Sequence, residues 1–126
     1  MKTRREQRIK IVETLYSMDI QDHITYESID HTFIDETVHG VLTHLHELDA
    51  LIQKHLVKYT IKRLSYVDRA ILRMACFELS YTDTPHEIIM NEALEITKLY
   101  TDEGNGKMVA FMNGVLDNIS NTLKKG

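Results

Sequence analysis

With 126 residues the chain has room for one domain, and a 43% hydrophobic composition belongs to a folded protein and not to a disordered one. The formal net charge is −4, and the single cysteine cannot form an internal disulfide, which excludes the disulfide-stapled secreted class. No run approaches the ~18–20 apolar residues of a membrane span, and the basic start lacks the apolar stretch of a secretory signal, so a soluble cytoplasmic protein is expected.

The chain opens MKTRREQRIK. Lys2, Arg4, Arg5, Arg8 and Lys10 stand there against Glu6, so the first ten residues carry +4 and the other 116 carry −8. Ile9, Val12 and Tyr16, with Ile11, Leu15 and Met18, recur at helical spacing and predict a helix over about residues 4–19. Arg4, Arg5 and Arg8 fall near one another on it, so their guanidinium groups are expected to gather on one side. Val12 and Tyr16 would anchor that helix to the core and hold the positive patch in place. Arginine suits phosphate and base stacking better than lysine does. A frayed, solvated terminus is the competing reading of the same charges.

DIQDHITYESIDHT reads as a polar connection with one short helical turn. Val38, Val41, Leu45, Leu48, Ile52 and Leu56 then step by three or four through one long helix. Ser65 can cap a helix over 66–81, with Asp68 in the third position facing the positive helix end. Thr84 can cap the next, over 85–100, with Pro85 at its first position and Glu87 completing a capping box. TDEGNG breaks the chain at a turn, and Val109, Met112, Leu116, Ile119 and Leu123 form the last helix. The fold class is all-α, in one domain over 1–126, without repeats or a long linker.

Catalytic chemistry finds little support. The histidines lack the four-residue spacing of a helical zinc site; His39 and His46 are seven apart. Glu92 and Glu95 share a face, but a polar helix surface explains them more simply than a di-metal carboxylate site. No nucleophile elbow, phosphate loop or dinucleotide-binding glycine turn occurs. No catalytic residue, metal or cofactor is expected, and Cys76, in an apolar run, is read as a buried structural thiol. Tyr100 and Phe111 bracket a polar loop that contains Lys107. They could offer flat surfaces for single-stranded RNA bases if that loop packs beside the first helix; aromatic core plugs are the plainer reading.

DRAILRMA, FEL followed by a short loop and Pro85, NEALEITK and NGVLDN, in that order, closely resemble the bacterial NusB family of transcription antitermination factors. Arg8 with Leu15 and Tyr16 fits the family's first helix, whereas residues 20–35 fit poorly. The resemblance implies two small helical bundles packed across each other. It implies binding to boxA, a short single-stranded element of ribosomal RNA transcripts, together with NusE, a small-subunit ribosomal protein, within the RNA polymerase antitermination complex. It places RNA contacts on Lys2, Arg4, Arg5 and Arg8 and on Tyr100, Lys107 and Phe111. NusE contacts fall on Asp68 and Arg69. Met108, Val109 and Ala110 separate Lys107 from Phe111 where the family has lysine directly before phenylalanine, so the loop or last helix reads as extended. Asn91, Asn113 and Gly114 are expected to be structural, the last allowing close helix approach. The alternative on the same fold is a protein-interaction module without RNA binding. Whether the free protein is a monomer or a homodimer is left open.

Overall fold

In the computed structural model, which describes residues 2–22 and 25–125, the chain forms six α-helices and, among those residues, no strand. They are α1 (Arg4–Ile20), α2 (Thr32–Thr43), α3 (Leu45–Lys54), α4 (Tyr66–Tyr81), α5 (His86–Tyr100) and α6 (Lys107–Lys125), with a 3-10 turn at Ile61–Arg63 before α4. Residues Ala70, Ile71, Leu72, Met74, Ala75, Cys76 and Leu79 bury α4 around most of its circumference. A helix apolar on nearly every side is satisfied only in the middle. It accordingly packs with α5 and α6 as one group and receives α1, α2 and α3 as the other, the two bundles that the family resemblance implies.

The helix ends follow local chemistry. Thr3 and Glu6 form a capping box at the start of α1, with Thr3 Oγ1 accepting from the Glu6 N–H at 3.1 Å and Glu6 Oε1 from the Thr3 N–H at 3.0 Å. Ser65 caps α4 as expected, accepting from the Asp68 N–H at 3.1 Å. At α5 the expectation shifts by one residue: Pro85 is itself the extended cap, helix begins at His86, and no side chain caps it. Proline's fixed φ suits either place, so the sequence alone could not choose.

The predicted long helix over 38–56 is two helices broken at His44. The His44 N–H still bonds the Gly40 carbonyl at 3.0 Å and the Leu48 N–H the His44 carbonyl at 2.8 Å. The apolar register therefore runs through the break, which is why periodicity misses it. His44 stacks on Tyr81 with ring centroids 4.2 Å apart. The close approach of helices rests on Gly40, not Gly114. A Cβ at Gly40 would lie 2.2 Å from the Phe77 ring, whereas one at Gly114 meets nothing within 4 Å. Asn113 is exposed as well, as is Asn91, so neither stitches helices together. Cys76 is buried, and burial pushes its thiol up to about 12, consistent with an inert structural role.

Two ionic ties set α1 antiparallel against α4. Near one end, Arg8 meets Glu78 in a forked pair, Nε–Oε2 3.0 Å and Nη2–Oε1 2.8 Å, with side chains only 4% and 1% exposed. Toward the other, Arg73 forks onto Asp49 at 2.8 Å and also reaches Asp19 at 3.1 Å. In the polar connection, where His23 and Ile24 lie outside the described residues, order comes from Asp35. Its carboxylate accepts from the Ser28 and Tyr26 hydroxyls and from the N–H groups of Ile29 and His31. These bonds, the one from Ser28 foremost, hold the Asp35 carboxyl well below its ordinary value.

Arg8→Ala is expected to cost about 3–5 kcal/mol in denaturant unfolding, because it strands a buried carboxylate, and Arg8→Met with Glu78→Leu should recover most of the loss. Asp35 contributes stability that is fully present above the ordinary aspartate pKa of 3.8 and is lost as pH falls through its lower folded value. Asp35→Asn should thus lower the melting temperature at neutral pH and flatten the fall in melting temperature below pH ~4, read by thermal scans across pH.

Candidate nucleic-acid interface

On a helix that turns about 100° per residue, Arg8 lies between Arg4 and Arg5 in azimuth. All three therefore start within one ~100° arc of α1, yet their guanidinium groups do not gather, because each is drawn to a different neighbour. Arg8, the central one, points into the core and is 3% exposed; it is not part of an RNA-facing surface, because Glu78 on α4 holds it. Arg4 swings toward α2, its guanidinium 4.1 Å from the Phe33 ring centroid, and donates to Gln7 at 2.9 Å. Arg5 swings the other way, to Glu92 on α5, at 2.7 Å from Nη2 to Oε2. Glu92 holds Arg5 more firmly charged and is itself held below the ordinary glutamate range, chiefly by that hydrogen bond. Lys2, Arg4 and Arg5 remain exposed. They surround the capped start of α1, where the helix dipole adds further positive potential.

Tyr100 stands farther along the same seam. The residue is 43% exposed and its hydroxyl donates to Glu13 on α1 at 3.2 Å. The loop after it turns through Gly104 and Gly106, at φ +87° and +74°, left-handed positions that favour glycine. Asn105 then accepts from the Lys107 N–H at 3.0 Å as α6 begins. The extra residues between Lys107 and Phe111 thus belong to helix. At a spacing of four, the two side chains share a face and line one cavity of about 280 Å³ with Tyr59, Leu64, Met108 and Asp68. Phe111 is half-buried, with its ring edge-on to Tyr59 at 5.8 Å.

Asp68 departs from expectation. It is 3% exposed and sits against that cavity, with its Oδ1 lacking a hydrogen-bond partner among the described residues. The capped start of α4 does not present this carboxylate on the surface, because Asp68 turns into the cavity it shares with Met108 and Phe111 of α6. Arg69 lies nearer the surface, 4.2 Å beneath the Tyr66 ring and 3.2 Å from the Asp19 carboxylate. Around it Tyr16, Ile20 and Tyr66 are 37%, 48% and 43% exposed, with Tyr16 edge-on to Tyr66 at 6.4 Å. Tyr16 therefore does not anchor α1 to the core; Ile11, Val12 and Leu15 do.

Some features of the site are local to the sequence and others are not. Thr3-x-x-Glu6 was a legible capping box. The roles of Phe33, Tyr59 and Glu92 depend on distant segments and left no local signal. Glu36 and His39 do stand in Glu-x-x-His order. Among the described residues, however, no three His, Cys, Asp or Glu side chains converge on a metal position, and no helix is long and apolar enough to cross a membrane.

Comparison with known proteins finds relatives of the same fold. The NusB family model matches residues 2–121. A transcription antitermination protein NusB from Bacillus subtilis is 40% identical, over 97% of this chain and 98% of its own. A solved NusB structure from T. maritima superposes with a TM-score of 0.83 at 32% identity, covering 96% of this chain and 93% of that one. A crystal structure described as antitermination factors NusB and NusE in complex with dsRNA superposes with a TM-score of 0.80 at 26% identity, covering 94% and 96%.

Glu92 both orients Arg5 and offsets its charge. Glu92→Gln should leave the fold intact and tighten binding of a single-stranded oligoribonucleotide roughly two- to fivefold, the scale of one exposed ion pair. Fluorescence anisotropy checks this, and weaker binding would show that orientation outweighs charge.

Proposed function

Since this chain belongs to the NusB family, we infer that it is an RNA-binding transcription antitermination factor, and we propose that it grips boxA-like RNA along the seam between α1 and α5. The observation that carries the proposal is the capped start of α1. It holds Lys2, Arg4 and Arg5 exposed around a positive helix end, in an otherwise acidic chain. Phosphates would meet these groups and Lys107, and bases would stack on Tyr100 and Phe111. Arg8 acts beneath this surface by fixing the rotation of α1. The acidic remainder limits indiscriminate binding to nucleic acid. The role is binding in the cytoplasm, not catalysis, as one component of the RNA polymerase antitermination complex.

NusE is the proposed protein partner. Its seat is centred on Arg69, with Tyr16, Ile20 and Tyr66 supplying exposed aromatic and apolar area of the kind that dominates interface energetics. Asp68 would act there only through the cavity beside Lys107 and Phe111, which brings the proposed protein and RNA contacts together. Coupling between the two is then expected, and it must be reciprocal.

Binding of a boxA oligonucleotide should weaken with salt at a slope of roughly −3, from about four cations meeting phosphates on a single strand; a flat response would overturn the electrostatic grip. Arg5→Ala should weaken RNA binding and change stability by less than ~0.5 kcal/mol. Ile20→Glu should weaken NusE while leaving RNA binding to the isolated protein unchanged. In paired titrations RNA should tighten NusE by the same factor that NusE tightens RNA, and independence of the two would refute the shared site.

A further inference from the structure

The most densely unpaired positive charge lies away from the N-terminus. The stretch KHLVKYTIKR, residues 54–63, carries Lys54, Lys58, Lys62 and Arg63 without an Asp or Glu, which gives +4 over ten residues and equals the opening of the chain. At the N-terminus, Arg8 and Arg5 are held by glutamates and Arg4 rests on Phe33. The four cations of 54–63 are all exposed, and none forms an ion pair among the described residues. An acidic protein gains nothing in solubility from such a cluster, and phosphate is the chemistry it complements.

The segment is also ordered and carries stacking surface. The Gln53 side-chain amide braces it from both directions, donating to the Tyr59 carbonyl at 2.9 Å and accepting from the Ile61 N–H at 2.8 Å. Tyr59 is held half-exposed, at 50%, beside a groove of about 360 Å³ that runs between this segment and α6. Gly114 leaves the wall of that groove open on α6, and a Cβ there would meet nothing within 4 Å. The Tyr59–Phe111 pair lines both this groove and the cavity containing Lys107, so the two surfaces are continuous. Of the four cations only Lys58 lines the groove itself, and the other three lie on the segment that forms its rim; an exposed aromatic ring beside such cations is the arrangement that binds single-stranded nucleic acid without strict sequence preference.

We infer that residues 54–63 and the groove behind Tyr59 form a second RNA surface, which takes the single strand flanking the boxA-like element after it passes Phe111. This rests on the RNA-binding reading above and adds a contact to the flanking RNA. Its occupant is nucleic acid because the charge is uniformly positive and unpaired, and a basic ribosomal protein would be repelled from it.

The test compares a boxA oligonucleotide with the same RNA lengthened by about ten uridines at one end or the other, within the ~4–16 nucleotides that a single-strand groove spans. With the whole protein, a tail at one of the two ends should raise affinity roughly tenfold and steepen the salt slope by about 3, as expected for four further cations. Lys58→Glu with Lys62→Glu should abolish that gain and leave the affinity for the short RNA within about twofold. Tails that add nothing at either end, or a gain that survives the double substitution, would overturn the inference. So would a double substitution that instead removes binding of NusE, since the surface would then belong to a protein. Failure of the short RNA to bind is failure of the earlier reading; the lengthened RNA against wild type and variant still decides this one.

Discussion

The buried Arg8–Glu78 pair sets the geometry on which the proposed interface depends. Two charges with side chains 4% and 1% exposed are costly to desolvate, and only their forked geometry offsets that cost. The fork has little tolerance for rotation, so it fixes the azimuth of α1 against α4. Once that angle is set, Arg4 must fall on the α2 side and Arg5 on the α5 side, because a helix allows no other placement. A residue grouped by sequence with the exposed arginines is thus the one that aims the other two.

The same logic separates charge that is counted from charge that is available. The N-terminal ten residues and residues 54–63 have equal net charge. In the first, Glu78 neutralises one arginine and Glu92 partly neutralises another; in the second, among the described residues, no acidic side chain comes near enough to pair. A phosphate arriving at Arg5 must compete with Glu92, whereas one arriving at Lys58 or Lys62 competes only with water. The field around the protein is therefore more evenly shared between its two basic stretches than the arginine cluster suggests.

Much of the fold was legible. Helix-spaced apolar residues locate α1, α4, α5 and α6 and run α2 and α3 together as one, Ser65 marks the start of α4, and the family motifs identify the architecture. The break at His44 was not legible, since backbone bonding keeps the apolar register continuous across it. Gly114 draws the expectation of a packing glycine because a conspicuous motif contains it, while Gly40, whose partner Phe77 lies on another helix, gives no local sign.

The sequence by itself determined the helical class, the family, the Ser65 cap of α4 and the presence of arginine and aromatic groups suited to RNA. These are local or pattern properties, written in spacing and residue type. Only the tertiary structure decided which arginine is buried and that Asp68 lines a cavity with Lys107 and Phe111. It alone decided that Tyr16 faces outward and that Tyr59 meets Phe111. Each of these depends on what a distant segment places opposite the side chain, and burial and ion pairing arise only when those segments pack.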